Sequence, residues 1–236
     1  ILKVVELASG RYCWLLGDDD KLASDAVAVV LQAIESDPAV DLFLGERKNY
    51  DLDFSNEFRS FPSLKPDALE RYDFSRVRTA DYLCAVKKMT GIFSYISSLV
   101  FKKEKWQAVI DRGELLNGDY EHVFIFMSIL WGRERGVLKR LLRPVVLTRW
   151  GNDRTLQGKR LFARVRMDVE AFHTIAVKVL KERSLVRYID NLLLVNDGFP
   201  WIVRARIGAG LGFYTDILPF LFRYYWSYPL FWLKIF

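Results

Sequence analysis

Apolar residues recur along this chain in two rhythms, short unbroken runs and one-in-three-or-four spacings, and the change from one to the other predicts its elements. Val4, Val5 and Leu7 read as the end of a helix that feeds through Ser9-Gly10 into a strand. That strand is Tyr12 to Leu16, a mostly apolar run without polar interruption, as in a parallel strand buried on both faces, and it stops at Gly17. Leu22, Val27, Val30, Leu31 and Ile34 then keep helical spacing for about four turns. Asp37-Pro38 closes that pattern, because proline disfavours helix in the residue before it. Val40 to Leu44 is the next apolar run, ended by Gly45. Strand, helix and strand over so short a length form a βαβ unit and predict an α/β fold.

Glu46 to Arg78 changes character, with mixed charge, Pro62, Pro66 and scattered aromatics, and reads as a long loop with little regular structure. Thr79 to Met89 fits a helix capped by Thr79 and stopped by Gly91. From Ile92 to Phe101, hydroxyl and apolar side chains alternate through Ser94, Ile96, Ser98 and Val100, which predicts a strand with two unlike faces. Lys103 to Arg112 follows as a short amphipathic helix around Trp106, Val109 and Ile110. Asn117-Gly-Asp-Tyr-Glu-His122 then opens a helix that is apolar on every side from Val123 to Trp131, the pattern of a helix buried in the domain or against a membrane. Pro144 to Asn152 reads as a short strand and a turn. His173, within the helical pattern Phe162, Val165, Val169, Phe172, Ala176 and Val179, reads as a helix-face residue without chemistry.

The polar residues that interrupt these runs carry the candidate chemistry. Asp18, Asp19 and Asp20 follow Gly17 directly, at the end of a strand, where open α/β sheets bind ligands. Adjacent carboxylates repel one another unless water, a cation or a helix N-terminus offsets them. A divalent cation with hard oxygen ligands, Mg2+ or Mn2+, is one answer; a solvated acidic turn capping the next helix is the other.

Strand, small residue, acidic triplet and apolar helix together resemble the Asp-X-Asp segment of GT-A glycosyltransferases, specifically the family-2 group that includes abequosyltransferase-like and other surface-polysaccharide enzymes. The strand-turn-Trp106 succession, the polar mouth at 117–122 and the basic strand ending in Arg149-Trp-Gly-Asn152 resemble later parts of that family in the same order. The resemblance covers about residues 1–152. It implies a metal-dependent, inverting transferase that uses a nucleotide-sugar donor, with Asp18 and Asp19 as nucleotide contacts, Asp19 or Asp20 as metal ligand and Arg149 as a diphosphate contact. It further implies a carboxylate that deprotonates the acceptor hydroxyl: Asp119 first, Glu121 second, with His122 either a base or a helix cap. The family's usual Glu-Asp pair is Gly118-Asp119 here. In the family a nucleotide-binding half precedes the acidic motif, so the expectation is a GT-A fold lacking that first half, truncated at its N-terminus.

Composition and charge narrow the partners. At 236 residues with 51% hydrophobic and 27% charged residues, disorder is excluded as the chain's overall state. The formal net charge of +6 points to phosphate-bearing partners. Between Arg133 and Arg166 stand eleven Lys or Arg residues against Glu134 and Asp153, so the basic character is concentrated there and the remainder is net acidic. Without a recognised nucleic-acid module or stacking aromatics in that stretch, nucleic acid ranks last. Residues 199–236 hold thirteen of the 35 aromatic residues, mixed with Arg204, Arg206, Arg223 and Lys234. That mixture suits a membrane-water interface, while Asp216 and Pro219 break the apolar run Ile207–Phe222 below the length of a span. The expected organisation is therefore a partial catalytic domain (1–152), a helical extension (153–198) and an amphipathic tail (199–236) that attaches the protein, peripherally or monotopically, to the anionic cytoplasmic face of a membrane. The acceptor would be a saccharide or a polyprenyl-linked one. A non-catalytic membrane-surface interaction protein, or an inactive truncated remnant, is the competing class. Cys13 and Cys84 share no metal or redox spacing and read as buried thiols of a reducing compartment.

Overall fold

The computed structural model describes residues 1–58, 62–113, 118, 120–149, 159–194, 202–203, 206, 212–229 and 232–233. In chain order the elements are α1 (Leu2–Leu7), β1 (Tyr12–Trp14), β2 (Asp20–Leu22), α2 (Ala26–Ser36), β3 (Leu42–Tyr50), β4 (Glu57–Phe58), β5 (Arg71–Asp73), α3 (Thr79–Ala85), α4 (Thr90–Phe93), a 3₁₀ turn at Ile96–Ser98, and β6 (Leu99–Lys102). They continue with α5 (Lys103–Ile110), α6 (Glu121–Trp131), β7 (Val137–Arg149), α7 (Lys159–Leu180), α8 (Arg183–Leu192), a π-helical turn at Phe213–Ile217 and α9 (Leu218–Tyr225).

The strands form one mixed sheet in the order β1-β6-β3-β7-β2, with β4 added beside β3 and β5 beside β7. β3 and β7 are parallel and make the spine, from Leu42 opposite Leu138 to Tyr50 opposite Arg149, with a register shift around Gly45 and Glu46. β1, by contrast, is a three-residue edge strand antiparallel to β6. The predicted strand–helix–strand unit is present as β1, α2 and β3, but β6 intervenes between its two strands.

Successive strand residues point to opposite faces, and the sheet uses both. Leu42, Leu44, Leu99 and Phe101 face a large core shared with α3, α5, α6, α7 and α8. Phe43, Val100, Val145 and Val146 face a smaller core under α2, with Ala26, Val30 and Ile34. α6 runs through the large core with every residue from His122 to Trp131 buried, as its unbroken apolar sequence requires. Asp41, itself buried, joins three strands: its Oδ2 accepts from the Val137 N–H at 3.0 Å and its Oδ1 from Lys102 Nζ at 3.1 Å.

Several expectations give way here. Within Ile92–Phe101 only Leu99–Phe101 are strand, in β6; the end of α4 and the 3₁₀ turn precede it, and the Ser97 and Ser98 hydroxyls there are used in local and site hydrogen bonds, with Ser98 Oγ donating to the Tyr95 carbonyl at 2.8 Å. The supposed loop from Glu46 contains the second half of β3, with β4 and β5. β7 begins at Val137 and not at Pro144, its early part disguised by Lys139 and Arg140. Cys13 is buried but Cys84 is exposed. Phe172, Ile175, Val186 and Ile189 of the helical extension belong to the same core as the sheet. The tail packs in part too: Phe213, Ile217, Phe220, Leu221 and Tyr225 form a second small core with Val165 and Val169 of α7. No helix among the described residues is long and apolar enough to cross a membrane.

Candidate functional site

The acidic triplet is held by residues that arrive from far along the chain. Trp14 Nε1 donates to the Ser97 carbonyl at 2.7 Å, and the Gly17 N–H donates to Ser97 Oγ at 2.9 Å. Ser97 Oγ in turn donates to Asp20 Oδ2 at 2.6 Å. The Tyr95 hydroxyl donates to Asp20 Oδ1, and Thr148 Oγ1 lies 2.9 Å from it, placed to donate back. Asp20 is the first residue of β2 and sits opposite Thr148 of β7, so the sheet register brings these partners together. Both Asp20 oxygens are thus engaged, and its role in the geometry is to tie down the turn formed by Asp18 and Asp19. Asp18 is exposed and Asp19 half-buried. A side chain at Gly17 would place its Cβ 3.0 Å from Asp19 Oδ1 and 3.1 Å from Asp20 Oδ2, so both carboxylates would have to give way by a few tenths of an ångström.

Behind Tyr95 lies Arg47 of β3, its guanidinium 4.2 Å above the ring centroid. Burial pushes the Arg47 pKa down, while Tyr95, Asp20 and Glu46 oppose that shift. Arg47 and Lys88 converge at Gly91: a Cβ there would lie 3.5 Å from Arg47 Nη2 and 3.6 Å from Lys88 Cδ. Tyr95 itself is pushed strongly up, first by burial and then by its bond to Asp20. The Arg47 guanidinium thus covers the ring of a phenol whose hydroxyl meets the Asp20 carboxylate.

The second candidate cluster opens α6. Glu121 occupies its first turn, half-buried, and His122 is buried with no hydrogen-bond partner at Nε2 among the described residues. Burial lowers the His122 pKa, opposed by an interaction with the Ser94 main chain. Ser94 contacts His122 and the next residue, Tyr95, bonds Asp20, so one dipeptide spans the acidic turn and the mouth of α6. Gly118 has φ +152°, a backbone setting that favours glycine. Asp119 lies outside the described residues.

Arg149 is not part of this constellation. It follows Thr148 on β7 and so points to the other face of the sheet, where its guanidinium stands 5.1 Å from the Phe54 ring, with Lys21 Nζ at 4.1 Å from the same ring. Its Nε is buried without a partner among the described residues. His173, expected to lack chemistry, holds the buried Asp190 through Nδ1 at 3.0 Å.

The chain is 34% identical over 216 residues to abequosyltransferase RfbV of Salmonella typhimurium, a match that spans 89% of this chain and 62% of the relative. Its fold is similar to that of S. aureus TarS residues 1–349 solved in complex with UDP-GlcNAc, with a TM-score of 0.50 at 12% identity, covering 99% of this chain and 60% of that one. The fold is of GT-A type, and the chain is similar in sequence to a protein named an abequosyltransferase. No family model matches it. The chain spans about six tenths of the length of the curated relative.

Within the GT-A frame, the acidic turn offers a limited donor set. No group of three or more His, Cys, Asp or Glu residues among the described ones is arranged to hold a metal ion. Asp20 accepts from Tyr95 and Ser97, and Asp18 and Asp19 precede it in the same turn. One or two carboxylates fit Mg2+ or Mn2+, which are ordinarily completed by water and substrate phosphates rather than by an all-protein cage. Tyr95, Ser97, Thr148 and Arg47 are the residues that sequence reasoning missed. The alternation of hydroxyl and apolar residues from Ile92 to Phe101 was the one available signal, and it was read as a strand face.

Proposed function

We propose that this chain supplies the diphosphate-holding and acceptor-activating part of an inverting glycosyltransferase in surface-polysaccharide synthesis. It would move a sugar from a nucleotide-sugar donor to a saccharide or polyprenyl-linked acceptor. The observation that carries this reading is the Ser94-Tyr95 dipeptide, which sets the acidic turn beside the mouth of α6. A metal site and a base must face one bound sugar from opposite sides, and the link from Asp20 through Tyr95 and Ser94 to His122 supports that reading. Similarity to a protein named an abequosyltransferase, and to one solved with UDP-GlcNAc, supports the donor and reaction class.

Asp19, with Asp18, is the candidate holder of Mg2+ or Mn2+, which when bound would offset charge on the departing diphosphate. Asp20 keeps that turn in place, and Arg47 adds a partly dehydrated cation on the same face. On the acceptor side a sugar hydroxyl is a poor nucleophile until it loses its proton, and Asp119, or Glu121 after it, is placed by sequence to take that proton. Attack from the base side, opposite the diphosphate, gives inversion. Arg149 stays a candidate for phosphate contact only at the far face, beside Lys21. Tyr214, Phe222 and Trp226 of the C-terminal region expose aromatic surface that supports peripheral attachment to an anionic membrane, on the cytoplasmic face where donor and lipid-linked acceptor would meet.

The test is a calorimetric screen of nucleotide sugars against the full-length protein with and without Mn2+. At least one donor is expected to bind only with the metal, and Asp19→Ala is expected to weaken it tenfold or more. Binding that ignores both the metal and Asp19 would sink the assignment.

A further inference from the structure

α7 belongs to the helical extension, yet two of its polar residues reach the mouth of α6. Tyr120 immediately precedes α6 and is buried, and its hydroxyl donates to Asp168 Oδ1 at 2.5 Å. Arg164 Nε donates to the same Oδ1 at 3.1 Å, while Arg164 Nη2 donates to the Tyr120 oxygen at 2.9 Å. The three groups therefore close a ring in which the phenol both gives and accepts a hydrogen bond. Arg164 and Asp168 are four residues apart on one helix face and would pair on any exposed surface. That pairing alone leaves unexplained why a tyrosine hydroxyl is inserted between them, in a setting where burial raises the Asp168 pKa and the bonds from Tyr120 and Arg164 oppose it. Packing needs only the ring, which lies 5.4 Å from Phe172, and phenylalanine would supply that. The hydroxyl adds direction, since a side chain bonded twice is fixed in rotation as well as in place.

We infer that Asp168 and Arg164 are positioning residues for the acceptor-activating carboxylate: by clamping Tyr120 they fix the backbone between Asp119 and Glu121. This rests on the proposed reaction, because it takes the base to stand at the mouth of α6. The helical extension then becomes part of the catalytic unit. Its role is to hold the base within the fraction of an ångström that proton transfer from a bound alcohol requires, where a misplacement of about 1 Å costs on the order of a hundredfold in rate.

The experiment uses the full-length protein and the isosteric variants Tyr120→Phe, Asp168→Asn and their double. Initial rates are measured with a bound nucleotide sugar and a saccharide acceptor, alongside thermal melting. Each single variant is expected to lower kcat about tenfold or more with the donor KM within twofold of the parent, and the double to be no slower than the slower single, because both remove one clamp. Arg164→Lys should restore part of the rate relative to Arg164→Met. Unchanged kcat in variants of an active parent would overturn the inference and leave the proposed function standing. Additive losses, or a loss in Asp168→Asn without one in Tyr120→Phe, would also overturn it, since Asp168 would then act on substrate directly. A parent that transfers no sugar from any donor that binds it would overturn the proposed function, and this inference with it.

Discussion

At the scale of single residues, the distinction that matters is between groups whose hydrogen bonds are spent inside the protein and groups left to meet something else. Asp20 belongs to the first kind, with Tyr95 and Ser97 on its two oxygens, although sequence gives it the same standing as Asp18 and Asp19. His122 belongs to the second, since its Nε2 is buried with no partner among the described residues and burial lowers its pKa below the ordinary 6.5. The pH dependence follows from linkage. As pH falls through 6.5 the unfolded chain takes up a proton that the folded His122 resists, so stability is full above that pH and declines below it until the folded pKa is reached. Urea midpoints measured between pH 7.5 and 5.5 should therefore fall for the parent more steeply than for His122→Gln. Parallel slopes would show that His122 titrates alike in both states. The triplet was legible in sequence because three carboxylates in a row form a pattern by themselves. Tyr95, Ser97 and Thr148 were not, because each is one polar residue whose partner lies tens of positions away, and nothing local distinguishes it from a solvated neighbour.

At the scale of elements, the hydrophobic pattern identified the helices and the continuous apolar runs and misplaced strands that carry polar residues. α6 and the start of β3 came through because continuous apolar runs have few alternatives. β7 did not, since Arg140 is buried while bonded to the Ala68 carbonyl at 3.0 Å and to Glu46 Oε1 at 3.2 Å, a polar solution that reads in sequence as surface. Where β3 and β7 meet, Gly45 is the point of closest approach: a Cβ there would lie 2.3 Å from Val145 Cγ2. Gly45→Ala should destabilise by about 1–3 kcal/mol through overpacking, read as a lower urea midpoint. Val145→Ala in the same chain should recover part of that loss, because it removes the clashing methyl. If the double variant is as unstable as the sum of the two singles, the clash is not where β3 and β7 touch. The register shift at Gly45 and Glu46 also aims Arg47 across Tyr95 towards the acidic turn, which links sheet packing to the site.

At the scale of the whole molecule, the C-terminal region has to satisfy two demands at once. Phe213, Ile217, Phe220, Leu221 and Tyr225 bury themselves against Val165 and Val169 of α7, so this region is part of the fold and not a free tail. On the other side, Phe222 is 49% and Trp226 70% exposed, four residues apart and hence on one helical face. Aromatic composition marked the region in sequence, but composition cannot assign rings to one side or the other. Deleting the segment would therefore test the wrong thing, because it would strip the second core from α7 and disturb Arg164 and Asp168 on the same helix. Replacing the exposed rings is cleaner. Phe222→Glu with Trp226→Glu removes apolar area and adds two negative charges against an anionic surface, while replacing none of the buried residues of the second core and giving up the stack of Phe222 on Trp232 at its edge. The double variant is expected to stop co-sedimenting with phosphatidylglycerol vesicles while keeping its melting temperature within a few degrees of the parent and its nucleotide-sugar binding intact. Co-sedimentation that persists would move the attachment to the concentrated basic stretch between Arg133 and Arg166, where raising the salt concentration, and not removing aromatic rings, would release the protein.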